Sequence, residues 1–397
     1  MTRFGWWIVT FWPLAAIGQG PAPGSPPAPD TLASIEVEAK SARDSFVEKA
    51  SKVKSGAEAT AADKARHDQI LSLMDRALTL ARLHPGEPEG VAAAAWAVAE
   101  LGFERGDDVG ERGDAAYRLL SDAPELDDPV VLRAIFAAPS VVPRCLEAER
   151  FLRSVISRSQ HPGLVTTAQA VLANYLAEMA RLHDRLAAPI SGPVLMRELT
   201  KVCLDRCRAV DGPKLRGEAE TLLEQVVREQ GDEPKTLGGQ AAGELFRIRH
   251  LRIGQPAPEL VGEDLDGAPI RLSDFRGKVV LLTFWAISSN PRLSLIRQEK
   301  DLAAAMKGRP FALVGVNGDA AEDRAKVKET VAKEGITWRS FWAGGPDGAI
   351  PREWGVERWP TSYVIDVGGI IRDDQVGGKL TPAAFQPLVQ AAEEAAR

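Results

Sequence analysis

Two closely spaced cysteines are the first candidates for chemistry in this sequence. Cys203 and Cys207 stand four residues apart in KVCLDRCRAV, which places both thiols on one face of a helix. Two thiols without a neighbouring His or second Cys pair are too few for a closed zinc site. Their Cβ atoms would lie about 6 Å apart, further than a disulfide permits. We therefore expect buried small hydrophobic residues, or one disulfide from Cys145 to either of them.

A serine nucleophile is the second chemistry that the residues could offer. Ser288 and Ser289 lie in TFWAISSNPRLSL, where an apolar run gives way to a helical pattern. A nucleophilic serine needs a general base, most often a histidine. All the histidines of the chain precede this region: His67, His84, His161, His183 and His250. We interpret Ser288 or Ser289 as a helix cap, with Asn290 and Pro291 in the first turn.

The elements that would position these residues change character near Ile253. From there, short strand patterns alternate with helical ones, which predicts an α/β sheet with covered faces. Asp266 and Gly267 predict a hairpin turn. Strands are predicted at 279–285, 311–317, 361–366 and near 370, and helices from about 291, over 320–334 and from 381.

Several blocks of this region occur together in one family. They are GQPAP at 254–258, LSDFRGK at 272–278, FWA at 284–286, GV at 355–356, WPT at 359–361 and ID at 365–366. With them, residues 253–397 resemble the thioredoxin-fold redoxins of the TlpA and ResA type, exported thiol-disulfide oxidoreductases related to the peroxiredoxin superfamily. The resemblance implies a C-terminal thioredoxin-like domain over 253–397.

The family's redox motif is degenerate in this chain. Laid on the pattern Phe-Trp-Ala-x-Trp-Cys-x-Pro-Cys, Ser289 replaces the attacking cysteine, Pro291 keeps the family proline and Arg292 replaces the resolving cysteine. Thiol-disulfide exchange needs a thiolate and a second sulfur. The hydroxyl of Ser289 and the guanidinium of Arg292 can supply neither. We interpret Arg292 as a solvated surface charge or as a group that pairs with a carboxylate or a ligand.

The same resemblance implies a binding groove. In redox relatives a cis-proline, here Pro360 between Trp359 and Thr361, shapes the groove where an extended substrate peptide bonds to the backbone. We expect the groove to survive without the redox chemistry, with Trp359 and Trp285 as apolar walls. The alternative is that Pro360 is needed only for the fold. The candidate binding residues are Trp285, Ser289, Asn290, Pro291, Arg292, Trp359, Pro360 and Thr361.

The first part of the chain predicts a leader followed by helices. Residues 1–18 read as a secretory signal peptide, with one Arg, an apolar run and small residues that fit cleavage after Gly18. A membrane anchor is the alternative, but the run is shorter than the roughly 20 residues that span a bilayer. A Pro-rich linker at 19–30 follows. Residues 31–251 then predict an all-α domain of helical hairpins of the tetratricopeptide kind, with similar segments at 148–162 and 219–234, or an irregular helical bundle.

These observations bound the function. The formal net charge of −6 and the scattered Lys and Arg exclude a nucleic-acid partner, and no segment of the mature chain predicts a membrane span. We expect no cofactor, no metal and a periplasmic or secreted location. The first hypothesis is a redox-inactive pseudo-oxidoreductase that binds a protein or peptide. The rival is an active thiol-disulfide oxidoreductase or peroxidase using Cys203 and Cys207 or a partner's thiol, and a purely structural domain is a third reading.

Overall fold

The computed structural model describes residues 30–52, 56–101, 104, 107–233, 235–287, 292–346, 348–356, 359–374 and 380–395. Contacts between Cα atoms divide the chain into two compact units, one ending at Tyr175 and the other beginning at Leu176. Among the described helices, none combines the length and the apolar character that crossing a membrane requires.

The unit that ends at Tyr175 is helical. Its helices are α1 Leu32–Lys52, α2 Gly56–Leu83, α3 Pro88–Leu101, α4 Asp107–Asp122, α5 Val131–Ala137, α6 Glu147–Arg158 and the first part of α7 Pro162–Leu186. Consecutive helices from α1 to α4 contact each other. The alanine-rich run of α3 is buried, since its small side chains allow neighbouring helices to approach closely. The predicted helical N-terminal part is confirmed.

The second unit begins with the end of α7 and continues with α8 Ser191–Glu198, α9 Lys201–Ala209, α10 Gly212–Gln230 and α11 Leu237–His250. Polar side chains define where three of these helices start. Thr200, Asp211 and Thr236 each accept a hydrogen bond from a backbone N–H in the first turn of α9, α10 and α11. This unit therefore contains helices that precede residue 253 as well as the sheet.

The described strands after residue 260 form a hairpin and a five-stranded sheet. The hairpin joins β1 Val261–Glu263 to β2 Pro269–Arg271. The sheet has the order β5-β4-β3-β6-β7, with β3 Val279–Trp285, β4 Phe311–Asn317, β5 Ser340–Trp342, β6 Thr361–Ile365 and β7 Ile371–Asp374. Strands β3, β4 and β5 are parallel, and β6 is antiparallel to β3 and β7. Helices α12 Arg292–Ala305, α13 Arg324–Glu334, α14 Ala349–Glu353 and α15 Pro382–Ala395 complete the predicted thioredoxin-like α/β fold.

Strand β3 supplies side chains to both faces of the sheet, because successive side chains point in opposite directions. Val280, Leu282 and Phe284 join one core cluster, which includes Trp354 of the segment after α14. Val279 and Leu281 join another, with side chains from α12 and α15. Every residue of β3 is buried, as the continuous apolar run predicted.

Trp354 gives a direct test of the first cluster. Its side chain has no exposed surface, and its ring centroid lies 5.5 Å from that of Phe284 and 5.2 Å from that of Tyr363. We expect Trp354→Ala to lower the free energy of unfolding by about 3–5 kcal/mol in urea denaturation. Val261→Ala, at a side chain that is 56% exposed, should change it by less than about 0.5 kcal/mol. Equal effects of the two substitutions would contradict this account of the core.

Candidate binding site at the ends of the central strands

Three chain segments meet at one edge of the sheet. In the parallel pair, Trp285 at the end of β3 lies opposite Asn317 at the end of β4. Strand β6 runs the other way, so its first residue, Thr361, pairs with Phe284. The segments after β3, after β4 and before β6 therefore lie together, and the predicted degenerate motif follows β3 at this edge.

Asp319 holds the chain where it leaves β3. The N–H of Ile287 donates to both carboxylate oxygens of Asp319, over 3.1 Å and 2.8 Å. The Asn317 side-chain amide donates to the same carboxylate over 2.8 Å, and the Asp319 N–H donates back to the Asn317 side chain. The carboxylate is nearly buried, so these charge-assisted bonds fix the start of the loop. The sequence motifs did not predict a role for Asp319. The sequence signal for such a role is that Asp319 lies in the polar run that follows the apolar strand β4.

The degenerate motif itself lies largely outside the described residues. Ser289, Asn290 and Pro291 are not described, and α12 begins at Arg292, whose side chain is not described either. The helix cap at Ser288 or Ser289 and the role of Arg292 therefore remain predictions.

The peptide bond between Trp359 and Pro360 is cis, as the resemblance implied. Trp359, Pro360 and Thr361 are each partly exposed. The Trp359 indole lies against Gly318, where an added Cβ would come within 2.1 Å of the ring. No hydrogen bond among the described residues uses the backbone N–H or C=O of Trp359. Among the described residues, Trp359 therefore presents unpaired backbone groups beside its own aromatic ring.

The two indoles expected as walls of one groove are not brought together. Trp359 packs against Phe284, with ring centroids 6.3 Å apart. Trp285 packs instead with Leu265 and Val327. Phe284 and Trp285 are consecutive in β3, so their side chains leave opposite faces of the sheet. Trp285 is also 94% buried, which leaves little of its ring for a ligand.

Trp285 and Pro360 do share a small pocket, and Glu299 is its one carboxyl group among the lining residues. The pocket is lined by Trp285, Leu295, Ile296, Glu299, Ile336, Trp338 and Pro360. Burial raises the pKa of the Glu299 carboxyl to about 7, partly opposed by a hydrogen bond with Thr283. The Thr283 hydroxyl in turn lies 3.2 Å from that of Ser362. One Glu299 oxygen has no hydrogen-bond partner among the described residues.

Glu299 was missed at the level of the sequence, although a signal was present. It stands four residues after Leu295 and three before Leu302, on the face of α12 that turns to the sheet. A carboxyl group on an apolar stripe is rarely buried without a partner.

The three cysteines all precede the sheet in the sequence. All three are buried and none is in a disulfide, so the alternative of a disulfide from Cys145 is wrong. Cys203 and Cys207 both point from α9 into the protein, and burial raises the pKa of the Cys207 thiol to about 11. A thiol with a raised pKa holds little thiolate at neutral pH, so this pair is poorly suited to exchange.

Glu299 predicts a defined pH dependence of stability. Its folded-state pKa of about 7 exceeds the ordinary value of 4.5, so the folded protein binds this proton more tightly than the unfolded chain. The contribution is present below pH 4.5 and is lost as the pH rises through 7. The free energy of unfolding of Glu299→Gln, relative to the parent chain, should therefore rise by about 2.5 kcal/mol between pH 5 and pH 8.

Urea denaturation at pH 5, 6.5 and 8 measures this difference. Glu329→Gln on the exposed side of α13 is the matched control and should follow the parent chain throughout. A pH-independent difference between Glu299→Gln and the parent would show that the carboxyl does not titrate in the folded core.

Comparison with known proteins agrees with this fold. The AhpC/TSA family matches residues 253–374. The thiol-disulfide oxidoreductase ResA of Bacillus thuringiensis subsp. konkukian is 32% identical over 127 residues, which are 32% of this chain and 71% of the relative. The thioredoxin-like protein YneN of Bacillus subtilis is 31% identical over 131 residues, 32% of this chain and 73% of that protein. A solved thiol:disulfide interchange protein of the thioredoxin family from Chlorobium tepidum is 28% identical, with a TM-score of 0.30. The match covers 35% of this chain and 96% of that protein.

The relatives cover the C-terminal third of the chain and leave the preceding helices unmatched. Through that third, which carries the thioredoxin-like sheet and the cis-proline, the chain belongs to the AhpC/TSA family of redoxins.

Proposed function

We propose that this protein is a redox-inactive redoxin that binds an extended segment of a protein or peptide partner. The observation that carries the proposal is the Trp359–Pro360 segment, partly exposed and with the backbone N–H and C=O of Trp359 unpaired among the described residues. An extended chain could pair with these groups as an added strand does. Trp359 offers an aromatic surface beside them, and Asp319 fixes the neighbouring loop.

The loss of thiol chemistry rests on the sequence and on the burial of the remaining cysteines. Ser289 and Arg292 stand where the family has its cysteine pair. Cys203 and Cys207 are buried, which disfavours the rival reading that they carry the reaction themselves. The function would then be recognition without a covalent intermediate.

The N-terminal sequence supports a location for this activity. Residues 1–18 have the features of a secretory signal peptide, so the mature chain would act in the periplasm or outside the cell. The helices that precede residue 253 would supply a second surface for a partner.

Reduction of insulin disulfides with a dithiol reductant tests the redox part. We expect the mature chain to stay at the uncatalysed rate, because it has no exposed thiol pair at the redox positions. Ser289→Cys combined with Arg292→Cys should raise the rate above that background. Cys203→Ala combined with Cys207→Ala is the control. Activity of the parent chain that disappears in this control would establish the rival reading.

A test of peptide binding needs a probe that cannot exchange disulfides with the protein. Fluorescently labelled insulin B chain with carboxymethylated cysteines is extended and carries no thiol. We expect fluorescence anisotropy to show saturable binding to the mature chain. Gly318→Ala should weaken it about tenfold, since the added methyl group must displace the Trp359 indole and the backbone beside it.

The matched control is Gly262→Ala in β1. A Cβ at this position would meet its nearest neighbour at 3.5 Å, an ordinary contact, so binding should be unchanged. Absence of saturable binding, or equal binding by both glycine variants, would argue against recognition at the Trp359–Pro360 segment.

A further inference from the structure

A row of small polar residues crosses the sheet beside the pocket that contains Glu299. Ser362 of β6 pairs with Thr283 of β3. Thr283 pairs in turn with Gly315 of β4, and Gly315 with Ser340 of β5. Directly paired residues have their side chains on the same face of a sheet. These four residues, here called the polar row, therefore share one face, and the three that carry hydroxyl groups are all buried.

Hydrogen bonds account for one end of the polar row only. The Thr283 hydroxyl lies 3.2 Å from the Ser362 hydroxyl and shares a hydrogen bond with the Glu299 carboxyl. Three polar atoms close to the row have no hydrogen-bond partner in the part of the chain that the structure describes: one carboxyl oxygen of Glu299, Nε1 of Trp285 and Oγ of Ser340. These three residues are at most 6% exposed, so bulk solvent does not reach them.

Gly315 brings two of these atoms to one place. A Cβ added at Gly315 would lie 2.7 Å from Trp285 Nε1 and would collide with Ser340 Oγ. The indole N–H and the hydroxyl group therefore stand over the same point of the β4 backbone, where the absence of a side chain leaves room for them. The indole of Trp285 also lines the pocket that Glu299 lines. The three unpartnered atoms thus belong to one small region of the core.

The chemistry of these atoms defines the ligand. An indole N–H can only donate, so the ligand must accept a hydrogen bond from Trp285. An ionised carboxyl group can only accept, so the ligand must also donate to Glu299. A metal cation cannot accept a hydrogen bond and does not fit Trp285. The pocket has a volume of about 10 Å³, close to the least that holds one water molecule. Water meets both requirements, and the volume excludes larger molecules.

We infer that the polar row and the pocket beside it form a binding site for one internal water molecule, which accepts a hydrogen bond from Trp285 and donates one to Glu299. The Ser340 hydroxyl supplies a third hydrogen bond, and buried waters typically make about three. Because water can donate to a carboxylate or accept from a carboxylic acid, it remains a partner of Glu299 in both protonation states. Pro360 forms another wall of the pocket, so the water lies beside the Trp359–Pro360 segment.

Water cross peaks of the indole N–H groups test the site in the mature chain labelled with ¹⁵N-tryptophan. The spectra are recorded at pH 8, because burial raises the pKa of Glu299 to about 7 and the carboxyl is then mostly ionised, with no proton to relay. We expect the Trp285 N–H to show cross peaks to water of opposite sign in NOE and ROE experiments. This pattern marks a water that stays bound for longer than the tumbling time of the protein. Trp285→Phe identifies the resonance.

Variants at Glu299 and Ser340 separate bound water from other sources of the signal. Glu299→Leu removes the acceptor and fills the pocket, so the cross peaks should disappear. Glu299→Gln keeps an acceptor oxygen and should retain them. Ser340→Ala should also retain them, because the water keeps two partners. Loss of the cross peaks in Ser340→Ala would mean that the exchanging proton of the Ser340 hydroxyl had produced the signal.

The inference is overturned by that loss, by the absence of Trp285 cross peaks in the parent chain, or by unchanged cross peaks in Glu299→Leu. If Glu299→Leu does not fold, the spectra of the parent and of Ser340→Ala decide. None of these outcomes depends on peptide binding at Trp359.

Discussion

The pairing of β3 with strands on both sides is the constraint on which the rest of the C-terminal fold depends. All its residues are buried, with β4 paired along its full length and β6 paired over most of it. A strand buried on both faces must carry apolar side chains in both directions, and this fixes which neighbours can cover it. The register with β4 also fixes where the two strands end. Together with the pairing of β6, this register brings the segments that carry Ile287, Asp319 and Trp359 to one edge of the sheet.

This dependence explains why some elements could be read from the sequence and others could not. The bounds of β3 and β4 were predicted correctly because each is a continuous apolar run. Strand β5 and helix α14 were not predicted. Residues 340–342 are too few to show a period, and Arg339 beside them binds Asp264 of the hairpin, a contact between residues far apart in the sequence. Their structure is set by tertiary contacts rather than by local pattern.

The candidate site likewise has some features that the sequence predicts and others that it does not. The cis-proline followed from the resemblance, whereas the separation of Trp285 from Trp359 required only that consecutive strand residues alternate. Glu299 was visible as a carboxyl on an apolar stripe. Asp373 and Asp374 could not be recognised as buried from the sequence, because their burial depends on the helices that cover β7. No local pattern in β7 tells which helices these are. A buried charge is recognised from sequence only when its own element reveals the burial.

Glu299 and Asp374 reach a similar state by different routes, and the difference bears on function. Burial raises the pKa of Asp374 to about 6, but Arg185 and Arg181 oppose the shift, so this carboxyl belongs to the packing of helices on a strand. Among the described residues, the influence that opposes the raised pKa of Glu299 is a hydroxyl group, and Glu299 lies in a pocket that Pro360 helps to form. A fold shaped for stability alone would be served better by an apolar or amide side chain there. A buried carboxyl group beside Pro360 therefore supports the proposal that a partner is recognised at this edge of the sheet.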